Sequence, residues 1–182
     1  GVYLKTHHGK TQIDASSGLF CNPLGHGRRE ITEAVTKQLD TLDYAQPFQQ
    51  GFGGSFELAT KISKHTPGNL NKIFYTICGS TAVETAIKIA IAYHRAKGDS
   101  KRFRFVGRER GYHGMNIGCV SVGGMVNNVK TFASILMPGV QHMRHTHLPD
   151  HKFISGQPDT GADLADDLDR IAANFGGENI AA

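Results

Sequence analysis

Two short stretches stand out, and the residue types and spacing of the first could hold an anion. The first is Cys78-Gly79-Ser80-Thr81, which sits between an apolar run, Ile73-Phe74-Tyr75-Thr76-Ile77, and a long helical pattern. A helix that opens at such a junction leaves its first N–H groups without partners and turns the positive end of its dipole outward. Those are the elements of an anion site. Gly79 lets the backbone come close to the anion, and the Ser80 hydroxyl can donate a further hydrogen bond. The same residues could equally be an ordinary helix cap, and G-x-x-x-x-G-K-[ST] of a nucleotide-binding P-loop is absent. The second stretch, Gly111-Tyr112-His113-Gly114, follows the next predicted strand and is therefore expected beside the first turn.

The elements that must position these stretches read as an α/β protein. Val2, Leu4, Ile13 and Ala15 alternate around His7-His8-Gly9-Lys10, as in a β-hairpin. After Gly27, Ile31, Val35, Leu39 and Leu42 share one helical face. Gly51 to Gly54 form a break, after which Ser55 is expected to cap a short helix with Leu58, Ala59 and Ile62 facing inward. Residues 73–77 read as a buried strand. In the helix that follows, Thr81, Glu84, Thr85, Lys88 and Arg95 make a narrow polar stripe, so it is expected to be largely buried. Thr81 and Glu84 match a capping box that would fix its start. Phe103-Arg104-Phe105-Val106 reads as a second strand, residues 140–144 as another, and Val120 and Val122 mark a segment of undecided type. Leu164, Leu168, Ile171 and Phe175 line a helix stopped by Gly176-Gly177. Strands alternating with helices imply βαβ units and a mostly parallel sheet.

The 182 residues carry a formal net charge of +4 that is spread along the chain, so composition demands no nucleic acid. The best rival of a different class is nonetheless a nucleic-acid-binding module using residues 101–110, where Lys101, Arg102, Arg104, Arg108 and Arg110 interleave with Phe103 and Phe105. Glu109 interrupts that run. His142, His145 and His147, with Asp150 and His151 nearby, form a histidine-rich stretch, but no helical i, i+4 pair or flanking cysteine organises it, and no metal site is assigned. The G-x-G-x-x-G of a dinucleotide fold is missing. Cys21, Cys78 and Cys119 are sparse and far apart, which fits a reducing cytoplasm better than a disulfide scaffold. No apolar run reaches the roughly 18 residues of a membrane span.

In context, Gly79-Ser-x-Ala-Val-Glu-Thr-Ala-x-Lys-x-Ala followed by Gly111-Tyr-His-Gly resembles the class III aminotransferases, enzymes dependent on pyridoxal 5'-phosphate (PLP). Arg108-Glu-Arg-Gly-Tyr-His-Gly and Ser121-Val-Gly-Gly-Met-Val-Asn-Asn look especially like the β-alanine–pyruvate, or ω-amino acid–pyruvate, transaminases. Gly18-Leu-Phe-Cys-Asn, Gly25-His-Gly, Gly161-Ala-Asp-Leu-Ala-Asp-Asp-Leu-Asp-Arg and Glu178-Asn-Ile-Ala-Ala extend the match over nearly the whole chain. The resemblance implies fold type I: part of a small N-terminal domain over residues 1–50, then the first part of a three-layer α/β/α PLP-binding large domain over residues 51–182. It implies that Gly79 and Ser80 hold the PLP phosphate, that Tyr112 stacks on the pyridine ring, and that His113 supports the loop. Leu19 and Phe20 would line the substrate pocket, and Phe48 would reach into the partner subunit's site of a homodimer. The implied reaction moves an amino group from an ω-amino acid or amine, such as β-alanine, to pyruvate.

The sequence departs from the family pattern in three places. The turn is usually Asn-Ser-Gly-Ser-Glu; here it is Ile77-Cys78-Gly79-Ser80-Thr81, with Cys78 in place of a hydroxyl. Phe20 stands where an indole is frequent. The family's Schiff-base lysine, the aspartate partner of its pyridine nitrogen and its carboxylate-binding arginine lie further downstream, and no lysine here occupies the matching position. Both ends read as cut, so the chain is expected to be an N-terminal fragment and inactive by itself.

Overall fold

The fold is that of a computed structural model, which describes residues 1–149 and 161–182. Among them no helix is long and apolar enough to cross a membrane. Two compact units emerge, Gly1–Ile73 and Phe74–Ala182. The division expected near residue 50 falls inside the first.

The first unit opens with the expected hairpin. Strands β1 (Tyr3–Lys5) and β2 (Thr11–Ile13) pair antiparallel with Tyr3 opposite Ile13. Gly9, at φ +80°, takes the left-handed position of the turn, which glycine adopts without Cβ strain. Helices α1 (Arg29–Thr41) and α2 (Gly53–Ser63) follow. The apolar face of α1 exists as a stripe but is open: Ile31, Val35, Leu39 and Leu42 are all exposed. Two expectations for α2 are corrected. Phe52 is its N-cap, and Ser55 lies inside the first turn, where its hydroxyl donates to the Phe52 carbonyl at 2.7 Å. Leu58 is exposed, while Ala59 and Ile62 are half-buried.

The second unit is built on a βαβ crossover. Helix α3 (Gly79–Ala96) leads to β3 (Phe105–Arg108), then to α4 (Ile117–Val122), α5 (Val126–Phe132), a 3-10 turn (Ala133–Ile135) and β4 (Val140–Met143). Strands β3 and β4 are parallel, with Phe105 opposite Val140 and Arg108 opposite Met143. Helices α6 (Ala162–Ala165) and α7 (Asp167–Phe175) complete the unit, and a bridge from Arg104 to Ile180 ties the last residues to β3. The core joins Ile87 of α3, Phe105 of β3 and Val122 of α4, with Val83, Ala90, Met137, Val140 and Ala181 against it. Burying a side chain the size of Phe105 contributes about 1.5–3 kcal/mol.

Three further expectations change here. Residues 73–77 form no strand, and Phe74 and Ile77 are exposed. An apolar run becomes a strand only where neighbouring strands supply a ladder, and among the described residues of the second unit the pairing is that of β3 with β4 and the bridge from Arg104 to Ile180. Helix α3 is not largely buried: Ile87 is its single buried residue, and Ile89 and Ile91 face out. The segment with Val120 and Val122 is helical and is the most buried stretch described, with residues 118–122 all covered.

Asp167 anchors α7 to the end of β4. Its carboxylate accepts the Arg144 N–H at 2.7 Å and the Arg144 Nε–H at 3.1 Å, with Arg170 3.8 Å away. The Arg144 main-chain N–H and then its guanidinium hold this carboxyl below its ordinary value of 3.8. A depressed carboxyl pKa stabilises the fold above the unfolded value, and that contribution is lost as pH falls through the folded one. Asp167→Asn is therefore expected to lower the unfolding temperature at pH 7. The gap to wild type should narrow as the pH drops below about 4, and a gap independent of pH would contradict the ionic role.

Candidate functional site

The two glycine-containing stretches meet as anticipated. Cys78, in extended conformation at φ −164°, is the N-cap of α3, so the helix starts at Gly79 and not at Thr81. No side chain caps it, and the capping-box reading is corrected. Glu84 instead reaches across to α4, where its Oε1 accepts the Gly118 N–H at 2.7 Å. A second bond runs from the Met115 N–H to Ser80 Oγ at 3.1 Å, and a third from the Cys119 thiol to the Ser80 carbonyl at 3.1 Å. Burial, then the Glu84 carboxylate, push the Cys119 thiol up, so it remains a neutral donor. These three contacts fasten the start of α3 to residues 115–119.

The loop between them is held from its other end. Arg110 N–H donates to Gly124 O at 2.7 Å and Gly124 N–H to Gly111 O at 2.9 Å. His142, from the histidine-rich stretch, donates through Nε2 to Gly123 O at 2.8 Å. Asp150 and His151 of that stretch lie outside the described residues, and among the described ones no group of three candidate ligands assembles. A Cβ on Gly124 would lie 2.3 Å from the Arg108 carbonyl, and one on Gly107 would lie 2.0 Å from the Val122 carbonyl, so backbone passes backbone with no room for a side chain. Gly114, at φ +123°, packs directly on Ser80: a Cβ there would stand 2.5 Å from Ser80 Oγ.

This geometry decides what the turn can hold. Ser80 Oγ uses a lone pair on the Met115 N–H, which leaves its own O–H hydrogen for another acceptor. A Cβ on Gly79 would meet nothing within 4 Å, so the approach to the turn is open. The Thr81 hydroxyl, 3.4 Å from Cys78 Sγ, and then the Thr81 and Ser80 N–H groups hold the Cys78 thiol below its usual range. The groups that face the turn thus already favour negative charge there, and the chemistry of the cradle fits a phosphate.

Tyr112 projects from the loop with its ring exposed. His113 folds back, its Nε2 3.4 Å from the Cβ position of Gly111, and it borders a cavity of about 250 Å³ with Val83, Ile87, Phe105 and Val122. Leu19, Phe20 and Phe48 belong to the first unit and are exposed at 74%, 86% and 75%, so no described residue packs them away.

The basic strand is committed internally. Arg102 donates to Asp99 and to the Gly177 and Ile180 carbonyls, Arg104 lies over the Phe103 and Phe175 rings, and Arg108 donates to the Arg144 carbonyl. Phe105 is buried. Arg102, Arg104 and Arg108 thus tie the second unit together, while Lys101, Phe103 and Arg110 are exposed.

The sequence pattern of the family described as aminotransferase class-III matches residues 1–182. The chain belongs to the class III aminotransferases. Among curated relatives, an ω-aminotransferase of Caulobacter vibrioides is 47% identical over the whole chain and 42% of its own length. The ω-amino acid–pyruvate aminotransferase of Pseudomonas putida is 44% identical, and the β-alanine–pyruvate aminotransferase of Pseudomonas aeruginosa 42%, each covered over 40% of its length. The chain thus spans about two fifths of these aminotransferases. Among solved structures, the ω-transaminase of Pseudomonas jessenii in complex with PMP matches 99% of the chain and 40% of its own at a TM-score of 0.90 and 29% identity. The architecture is accordingly the α/β fold of the fold type I transaminases.

What the residue pattern could not give was the fastening. Glu84, Met115, Gly118 and Cys119 hold the aminotransferase turn and loop together across 34 to 39 positions of sequence. Glu84 had a signal, but a local one, and it pointed to the wrong partner.

Proposed function

We propose that this chain is the N-terminal part of a PLP-dependent transaminase that moves an amino group from an ω-amino acid or amine to pyruvate. β-Alanine is the preferred donor. The observation that carries the reading is the Ser80–Gly114 contact, which brings an open anion cradle and an exposed aromatic loop into one place within a chain of this family.

Gly79 and Ser80 would hold the cofactor phosphate through first-turn N–H groups and the Ser80 hydroxyl. Tyr112 would lie on the pyridine ring, and His113 would back the loop that carries it. Leu19 and Phe20 would wall the donor pocket, and Phe48 would reach the site of a second subunit in a homodimer. PLP, when bound, supplies an electron sink for the deprotonated amine. The residues of this chain bind and orient. The lysine that forms the covalent link and moves the proton in the family matches none of its lysines. The protein is assigned to the cytoplasm, in keeping with three unpaired cysteines.

The test is transamination by the full-length protein with PLP, β-alanine and pyruvate, read as alanine formed. The 182-residue chain alone should give no turnover under the same conditions. Absence of alanine from the full-length enzyme across a panel of ω-amines would overturn the assignment, and clear turnover by the short chain would overturn the division of labour.

A further inference from the structure

Residues 17–20 are strained in a way the hairpin beside them does not explain. Ser17, Gly18, Leu19 and Phe20 have φ of 52°, 60°, 57° and 67°, four successive residues in the left-handed region. For residues other than glycine this conformation costs about 1–2 kcal/mol each, and it persists only where surrounding structure over-determines it. The turn closes on itself through Phe20 N–H to Ser16 O at 3.0 Å and Asn22 N–H to Ser17 O at 2.8 Å. Its two apolar side chains, Leu19 and Phe20, are held out into solvent.

A polar cluster spans the base of this turn. The Asp14 side chain, only 7% exposed, accepts four hydrogen bonds: Ser16 N–H at 3.2 Å and Ser16 Oγ–H at 2.9 Å on one oxygen, and Gly18 N–H at 2.8 Å and His26 Nε2 at 3.0 Å on the other. The second ring nitrogen of His26, Nδ1, is 2.8 Å from Asn22 Nδ2. An amide NH₂ can only donate, so Nδ1 accepts and Nε2 carries the proton toward Asp14. The chain on both sides is pinned, by Asp14 N–H to Val2 O at 2.8 Å and by His26 N–H to Gly1 O at 2.7 Å. His26 thus joins the residue before the turn to the residue after it.

We propose that Asp14, Asn22 and His26 form a clasp that holds the left-handed turn and so sets where Leu19 and Phe20 stand against the amine donor. This rests on the reading that those two side chains wall the donor pocket. His26 is on this view a positioning residue for donor size selection, acting through the turn and touching no reacting atom.

The experiment uses the full-length holoenzyme and two donors of different size, β-alanine and 2-phenylethylamine, with pyruvate as acceptor. Phe20→Ala is the reference for the pocket wall. His26→Ala is expected to change the ratio of KM values for the two donors by about five- to tenfold, the size of losing one or two hydrogen bonds. Its kcat with β-alanine and its PLP content should stay close to wild type. His26→Gln, whose amide can both donate and accept, should restore most of the ratio. Asn22→Ala should shift it in the same direction and keeps the test open if His26→Ala does not fold. A KM ratio unmoved by His26→Ala and Asn22→Ala while Phe20→Ala moves it would overturn the clasp. So would an equal loss of kcat with both donors. If Phe20→Ala itself leaves the ratio unchanged, the pocket-wall reading fails, and the clasp has no donor to act on.

Discussion

Gly114→Ala in the full-length aminotransferase is expected to weaken PLP binding by about ten- to hundredfold, the equivalent of the 1–3 kcal/mol stored when an L-residue is forced into a sparsely populated conformation. Two effects act together at this position. The backbone has φ +123°, which a Cβ disfavours, and the added methyl would stand 2.5 Å from Ser80 Oγ and 2.8 Å from Ser80 Cα. The collision is with the turn itself and not with the end of a flexible side chain, so the loop must lift away from the start of α3. The Met115 N–H would then leave Ser80 Oγ, and the hydroxyl would lose the contact that holds its oxygen. Equilibrium dialysis of PLP against wild type and variant measures the effect, with thermal unfolding of the apo forms to separate it from a folding defect. Equal PLP affinity would mean that the loop and the turn do not act as one site.

Tyr112→Ala is the second large effect. Its ring is 61% exposed and outside the buried core, so its removal should leave the unfolding temperature of the apo form nearly unchanged. Stacking of an aromatic side chain on a flat heterocyclic base contributes about 1–3 kcal/mol by alanine substitution. PLP retention should therefore fall by roughly ten- to hundredfold, while Tyr112→Phe keeps the ring and should stay within a few-fold of wild type. PLP affinity unaffected in Tyr112→Ala would count against the stacking role and leave the cradle alone to hold the cofactor. The pair of variants separates two contributions: Gly114→Ala disturbs the junction of loop and turn, and Tyr112→Ala removes only a surface that a bound ring would cover.

Much of the second unit was legible because its signals are local. The periodicity of α3 and α7, the glycine pair after Phe175 and the apolar strand at Phe105 depend on neighbours within one or two turns. The strand of residues 103–106 was displaced to Phe105–Arg108 because the ladder with β4 sets its bounds. Residues 73–77 have the composition of a strand, but pairing is a property of two segments and composition describes one. The capping box at Thr81 and Glu84 failed for a related reason. Glu84 had two donors within reach of the fold, and the buried Gly118 N–H, which water cannot satisfy, is the costlier to leave unpaired.

The sequence by itself determined the kind of helix start this protein has, since a glycine and a serine opening a helix expose N–H groups and a hydroxyl whatever surrounds them. The Gly111–Gly114 loop was also expected beside that helix, and it is found there, although the strand at residues 73–77 on which that expectation leaned does not form. Only the tertiary structure decided how closely. Gly114 against Ser80, Glu84 on Gly118 and the Cys119 thiol on the Ser80 carbonyl are contacts between segments more than thirty residues apart, and their geometry follows from packing around Ile87, Phe105 and Val122. The left-handed turn at residues 17–20 rests on shorter contacts: it closes through its own main chain and through Asp14 on Ser16 and Gly18, and only the His26–Asp14 bond, twelve positions apart, reaches beyond it.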